Sequence, residues 1–225
     1  GNGAVPGFQF KSEADRQAFL DDMVKPMVGM AEDSGPALRT DTAAFRKWFG
    51  NSKVVDAQGR PLVVYHGSGW TDIESFMPNW RDGDDESQKT LQWFRDKTAR
   101  GENIGLINFR AGTFFSPQPD YANNYTAEER GAMYPVYIKA ENPVYKDMVT
   151  GKATPRPFPD RSPDAMILTE GDKINEIAVI DPTQVKSIFN RGTWDARDPR
   201  IQYQVTPPQM VREAAAATEE IIRLM

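Results

Sequence analysis

One imidazole is available to this chain. His66 is the single histidine, and it follows an apolar run in VVYHGS (63–68), with Gly67 and Ser68 directly behind it. A histidine at a strand end can donate or accept near neutral pH, and a glycine beside it lets a ligand approach the backbone closely. Taken alone, the same residues better describe a histidine satisfied inside a core. A second stretch, GTFFSPQPDYANNY (112–125), sets Gly112 ahead of Phe114 and Phe115 and spaces Tyr121 and Tyr125 four apart, on one helical face. These rings could stack on a planar ligand or simply pack a core. A third, INEIAVIDPTQV (174–185), puts Glu176 at the mouth of an apolar strand, where a carboxylate is costly unless it is paired, used or turned to water. Asp181-Pro182 in the same stretch reads as a turn. No Ser-His-Asp triad can be read around His66. With no cysteine and one histidine, neither a disulfide nor a metal site is expected.

The elements that must position these residues read as α+β: several short strands with few helices between them. Ser12 and Asp15 suit a helix start, and Phe19, Leu20, Met23, Val24 and Met27 fall on one face of that helix, which Pro26 should kink or end. Residues 31–39 read as a linker. A short helix capped near Asp41 or Thr42 carries Phe45, Trp48 and Phe49 and stops at Gly50. KVVD (53–56) and PLVVYHG (61–67) predict a β-hairpin with Gly59 in its turn, and residues 69–84 a loop. Residues 85–100 predict a surface helix with Leu91 and Phe94 inward, its acidic start DGDDE (82–86) favoured by the helix dipole. Further strands are expected at 112–116, 134–140, 165–168, 177–181 and 184–189, with a short helix around 120–129, a surface loop at 150–163 and a loop at TEGDKIN (169–175). Pro207-Pro208 reads as a boundary before an Ala-rich helix over 209–225. The expected organisation is an N-terminal helical extension (1–42), a central domain (43–205) and a C-terminal helical tail or linker start (206–225).

Composition suits a folded aqueous protein. The 225 residues include 12 Phe, 7 Tyr and 5 Trp, enough aromatic mass for a core, and no apolar run long enough to span a bilayer. The start GNGAVPGFQF has neither a basic region nor an apolar stretch of the signal-peptide kind. A formal net charge of −5 does not suit a surface that binds nucleic acid everywhere, although a local basic patch is compatible with it.

The ordered set changes the weight of its parts. VYHGS, then GTFFS with NNY, then NEIAVIDPTQV resembles the His-Tyr-Glu signature of poly(ADP-ribose) polymerase and diphtheria-toxin-like ADP-ribosyltransferases. In that family a histidine is followed by Gly-Ser, a Gly-x-Tyr-Phe strand leads to an Ala-Asn-Tyr helix, and a strand opening Asn-Glu runs on to Asp-x-x-Gln-Val. The flanks FRKWFGNSKVVDAQGRPLVVYHGS and VKSIFNRGTWDARDPRIQYQ look most like the branch embedded in large polyvalent proteins of phages and conjugative elements, so that the resemblance covers roughly residues 43–204. It implies an ADP-ribosyltransferase-like split antiparallel β-sheet core with flanking helices.

It also implies a reaction. NAD⁺ would be the substrate, with no metal, and its nicotinamide–ribose bond would break. The leaving group is already a pyridinium and departs neutral without protonation, so a single carboxylate that stabilises the oxocarbenium-like ribose can suffice where glycoside hydrolysis needs two. By resemblance the catalytic set is Glu176, His66 and Tyr125. His66 would hydrogen-bond the adenosine ribose, and Gly67, with Ser68 beside it, would hold the nicotinamide carboxamide. Tyr125 would stack on the nicotinamide ring opposite Phe114, near Gly112, and Glu176 would bind the 2′-hydroxyl of the nicotinamide ribose. Glu170, Asp172 and Lys173 precede Glu176 where the family recognises its acceptor, and read equally as a solvated charged loop. Two positions depart from the pattern: Phe114 stands for a tyrosine, and Ala122 for a serine that some relatives use. The implied partners are NAD⁺ and a macromolecular acceptor, a host protein or nucleic acid, in the host bacterial cytoplasm and not at a membrane. The chain is expected to be part of a larger multidomain protein. Hydrolysis of NAD⁺ and a non-catalytic NAD⁺-binding module are the rival readings.

Overall fold

The computed structural model describes residues 8–9, 39–79, 83–126, 131–154, 158–190 and 194–201. In chain order they form β1 (Phe8–Gln9), α1 (Ala43–Phe49), β2 (Val64–Ser68), α2 (Asp84–Ala99), β3 (Thr113–Phe115), α3 (Pro119–Asn123), β4 (Ala132–Ile138), β5 (Val144–Asp147), β6 (Ala153–Thr154), β7 (Met166–Glu170), β8 (Lys173–Val179) and β9 (Val185–Ser187), with 3-10 turns at Arg39–Asp41, Leu106–Ala111 and Pro182–Gln184. The expected helices over the first 30 residues and over 209–225 lie outside the described residues, as do the linker up to residue 38 and the Pro207-Pro208 boundary.

The strands make two sheets. One runs β1-β4-β2 with β9 also on β4, and the other β3-β8-β7-β5-β6. All pairs are antiparallel except β5 with β7, which makes the second sheet mixed. The α+β class and the split sheet hold. Across the split, Tyr65 and Ser116 exchange backbone hydrogen bonds of 2.8 and 2.9 Å.

Strand β4 shows why its sequence folds as it does. AMYPVYI is buried at every position, as befits a central strand covered on both faces. Ala132, Tyr134, Val136 and Ile138 face the core between the sheets, with Val64, Phe115, Ile167, Ile177 and Val179. Tyr137 turns the other way, into the aromatic cluster of Phe45, Trp48, Phe49 and Trp194 under α1. Pro135 would be misplaced inside a ladder. Tyr65, opposite it, bonds to Ser116 on its other side, so the missing N–H of Pro135 faces away from β2. There it meets the gap between β1, paired at 132–133, and β9, paired at 136–138.

Helix α1 has its predicted ends: Thr42 Oγ1 accepts from Phe45 N–H at 3.1 Å and Gly50 closes it with φ 57°. Helix α2 buries Leu91 and Phe94, and Arg95 ties it to Asp181 at 2.7 and 3.0 Å. Asp181 also caps the turn that Pro182 begins, as the sequence suggests.

Two expectations need correction. The hairpin at 53–67 shrinks to one bridge, Val55 with Pro61, because the N–H groups of Val54 and Lys53 turn away from the facing segment, to Ser52 Oγ and the Ala140 carbonyl; Asp56 closes the turn by accepting from Gln58 and Arg60. The segment 169–175 is not a loop but the tip of the β7–β8 hairpin: Glu170 pairs with Lys173 across a two-residue turn led by Gly171 at φ 59°. Ahead of the helix expected from Ser12, Phe8–Gln9 pair with β4 as strand β1.

Candidate active site

A cavity of about 730 Å3 opens where the sheets part, and its lining includes His66, Gly67, Ser68, Gly112, Phe114, Tyr125 and Glu176. Such a volume is that of a small-molecule or cofactor pocket. All seven residues read from the sequence as a candidate site therefore border one space, although they come from three separate stretches of chain.

His66 sits in β2 against Phe76, with ring centroids 4.9 Å apart, and Phe115, at 5.5 Å. Its Nδ1 lies 2.8 Å from the Phe114 carbonyl oxygen. A carbonyl can only accept, so Nδ1 carries the proton. Burial lowers the imidazole pKa against the raising effect of that hydrogen bond. The neutral ring is left with Nε2 as an acceptor, suited to a ligand hydroxyl and not to a carbonyl or a phosphate.

The two glycines are required by packing. A Cβ on Gly67 would lie 1.8 Å from the Ala122 carbonyl oxygen, and one on Gly112 would lie 2.3 Å from that of Val179. Gly67 thus lets α3 rest on β2, and Gly112 lets the start of β3 rest on β8. The Ser68 hydroxyl accepts from the Trp70 N–H at 3.1 Å, which fixes the turn at the end of β2.

Glu176 owes its aim to a bulge. Leu168 pairs with Glu176 but Thr169 with Ile174, so Asn175 is an extra residue in β8. Both Ile174 and Ile177 consequently reach the inter-sheet core, and Glu176 stands on the face shared by Ala178 and, across the pairing, by Phe114. The bulge is pinned: the Asn175 carbonyl accepts from Ser116 Oγ at 2.8 Å, and its side chain accepts from Gln118 Nε2 at 3.2 Å.

The sequence reading did not place Tyr121 among the site residues, yet its hydroxyl donates to Glu176 Oε1 at 3.0 Å and lies 3.2 Å from the Tyr125 hydroxyl. The rings meet at 67° with centroids 5.7 Å apart. The hydrogen bonds to Tyr125 and to the Glu176 carboxylate raise the Tyr121 pKa and keep the phenol neutral and donating. The four-residue spacing is the only sequence signal for this pair. Tyr125 remains 59% exposed, so its ring face is open to the cavity side. Glu170 and Lys173 close the hairpin tip and Asp172 lies in its turn, all exposed and outside the cavity lining.

Among the described residues no cluster of His, Cys, Asp or Glu could hold a metal ion, and no helix is long and apolar enough to cross a membrane.

The split-sheet α+β arrangement is the one expected of an ADP-ribosyltransferase-like fold. Residues 56–158 match the family model described as ADP-ribosyltransferase in polyvalent proteins. The matched segment contains His66, Gly112, Phe114 and Tyr125; Glu176 lies beyond its end. No curated protein and no solved structure matches the chain.

Proposed function

We propose that the protein is a mono-ADP-ribosyltransferase that cleaves the nicotinamide–ribose bond of NAD⁺ and transfers ADP-ribose to a host macromolecule, as an effector of a phage or mobile element. One observation carries the reading: Glu176, oriented by Tyr121, borders the same cavity as His66 and Tyr125. Nicotinamide takes the bonding electron pair and leaves neutral while positive charge grows on the ribose C1′ and ring oxygen. Glu176 accepts from the ribose 2′-hydroxyl and stabilises that charge. Tyr125 stacks on the nicotinamide ring, with Phe114 opposite. His66, with Nε2 free to accept, takes a hydroxyl of the adenosine ribose. The acceptor nucleophile then attacks C1′ and loses its proton.

The test is incubation with labelled NAD⁺ and bacterial lysate. Label should appear on a macromolecule, and Glu176→Gln should lower transfer on the order of 10²–10³-fold. A Glu176→Gln protein of full activity would overturn the mechanism. The short β7–β8 turn favours a second reading: a two-residue tip offers little acceptor-binding surface, as befits an NAD⁺ glycohydrolase with water as acceptor. Free ADP-ribose with no labelled macromolecule would decide for it.

A further inference from the structure

The residues assigned so far leave one cavity wall without a role. Among the lining residues two bear a formal charge at neutral pH, Glu176 and Arg110. Arg110 differs from five other arginines among the described residues. Arg60, Arg95, Arg100, Arg197 and Arg200 each pair with a carboxylate. Arg110 is exposed and makes no hydrogen bond or ion pair among the described residues.

Its backbone is nevertheless held in place. It belongs to the 3-10 turn Leu106–Ala111, whose Phe109 is fully buried and meets Phe94 edge-on at 6.3 Å. The Ala111 carbonyl accepts from Asn79 N–H at 2.8 Å, and Gly112 is seated on Val179. A planar five-donor fork on a rigid turn at a cavity wall is suited to an anion with two oxygens to offer. The other charge in the cavity, the Glu176 carboxylate, repels such an anion and attracts the pyridinium.

We propose that Arg110 holds the diphosphate of NAD⁺, and that the Arg110–Glu176 pair of opposite charges sets the direction in which the dinucleotide lies. This rests on the NAD⁺ reading of the cavity. It also makes Arg110 a determinant of specificity, selecting dinucleotides over nicotinamide compounds without phosphate.

Calorimetric titration of the wild type and Arg110→Gln with NAD⁺ and with nicotinamide riboside tests it. Arg110→Gln should bind NAD⁺ roughly tenfold to a hundredfold more weakly. It should bind nicotinamide riboside as the wild type does, and its residual NAD⁺ affinity should fall less steeply with salt. Arg110→Lys should recover part of the loss. Unchanged NAD⁺ affinity in Arg110→Gln, or an equal loss for both ligands, overturns the inference and leaves the NAD⁺ reading standing. A wild type that binds neither ligand overturns both.

Discussion

A carboxylate that stabilises a transient cation must already point the right way before the charge appears, because reorientation during the reaction would consume the stabilisation. In this chain the orienting group is Tyr121, whose neutral phenol donates to Glu176 at 3.0 Å and shares its hydroxyl with Tyr125. Tyr121→Phe removes that hydrogen bond and keeps the ring. On the proposed mechanism kcat should fall on the order of tenfold or somewhat more, the usual worth of a hydrogen bond to a charged group, with KM for NAD⁺ nearly unchanged. Steady-state kinetics checks this; a rise in KM at constant kcat would make Tyr121 a binding residue instead. His66, Tyr125 and Glu176 could be picked out from the sequence because their types and order form a pattern. Tyr121 was legible only as one of two rings on a helical face; its role of orienting Glu176 was not, because the two lie 55 positions apart and only the folded chain brings them together.

At the scale of elements, the site depends on how α3 sits on β2. The approach is so close that Gly67 has no room for a methyl group, which would meet the Ala122 carbonyl at 1.8 Å. Gly67→Ala must push α3 outward, carrying Tyr121 and Tyr125 with it. It should cost about 1–3 kcal/mol of stability as an overpacked contact. NAD⁺ affinity should fall by at least about tenfold, out of proportion to the small loss of fold stability. Thermal melts and calorimetry on the same sample check both parts, and undiminished affinity would show that α3 does not set the pocket. The sequence marks Gly67 as special but suggests ligand approach as the reason; the backbone of a neighbouring helix supplies another. Elements with strong local signals were legible: the caps of α1, the inner face of α2, the apolar run of β4. The hairpin tip at 169–175 was not, since Gly171 and the charges around it read as a loop while two residues suffice for the turn. Nor was the Asn175 bulge, which depends on pairing with β7 and leaves no local mark.

The whole molecule is closed by its last described segment, 194–201, which returns to the sheets. Trp194 packs on Phe45 at 4.8 Å, Ile201 enters the inter-sheet core, and the Ser187 N–H donates to the Ile201 carbonyl at 2.8 Å. Lys186 is the clasp. Its side chain is 2% exposed, and Nζ donates to the Arg200 carbonyl at 2.8 Å and to that of Asp198. Burial brings its pKa down to about 8, against the opposing pull of Asp198 and Asp195, while Arg200 adds to the lowering. A neutral amine has two N–H donors for these two carbonyls, so the clasp works without the charge. The sign of the pH dependence follows. Below about pH 8 the lysine is protonated in both the folded and the unfolded chain, and its desolvation opposes folding. Between about 8 and the unfolded value near 10.5 the unfolded chain holds a proton that the folded chain has released, so stability rises with pH through that window. Other groups titrate there too, and comparison with Lys186→Met removes them. In urea unfolding from pH 7.5 to 10.5, the stability of the wild type relative to Lys186→Met should climb by up to a few kcal/mol. A difference that stays flat would mean that Lys186 keeps its charge in the fold.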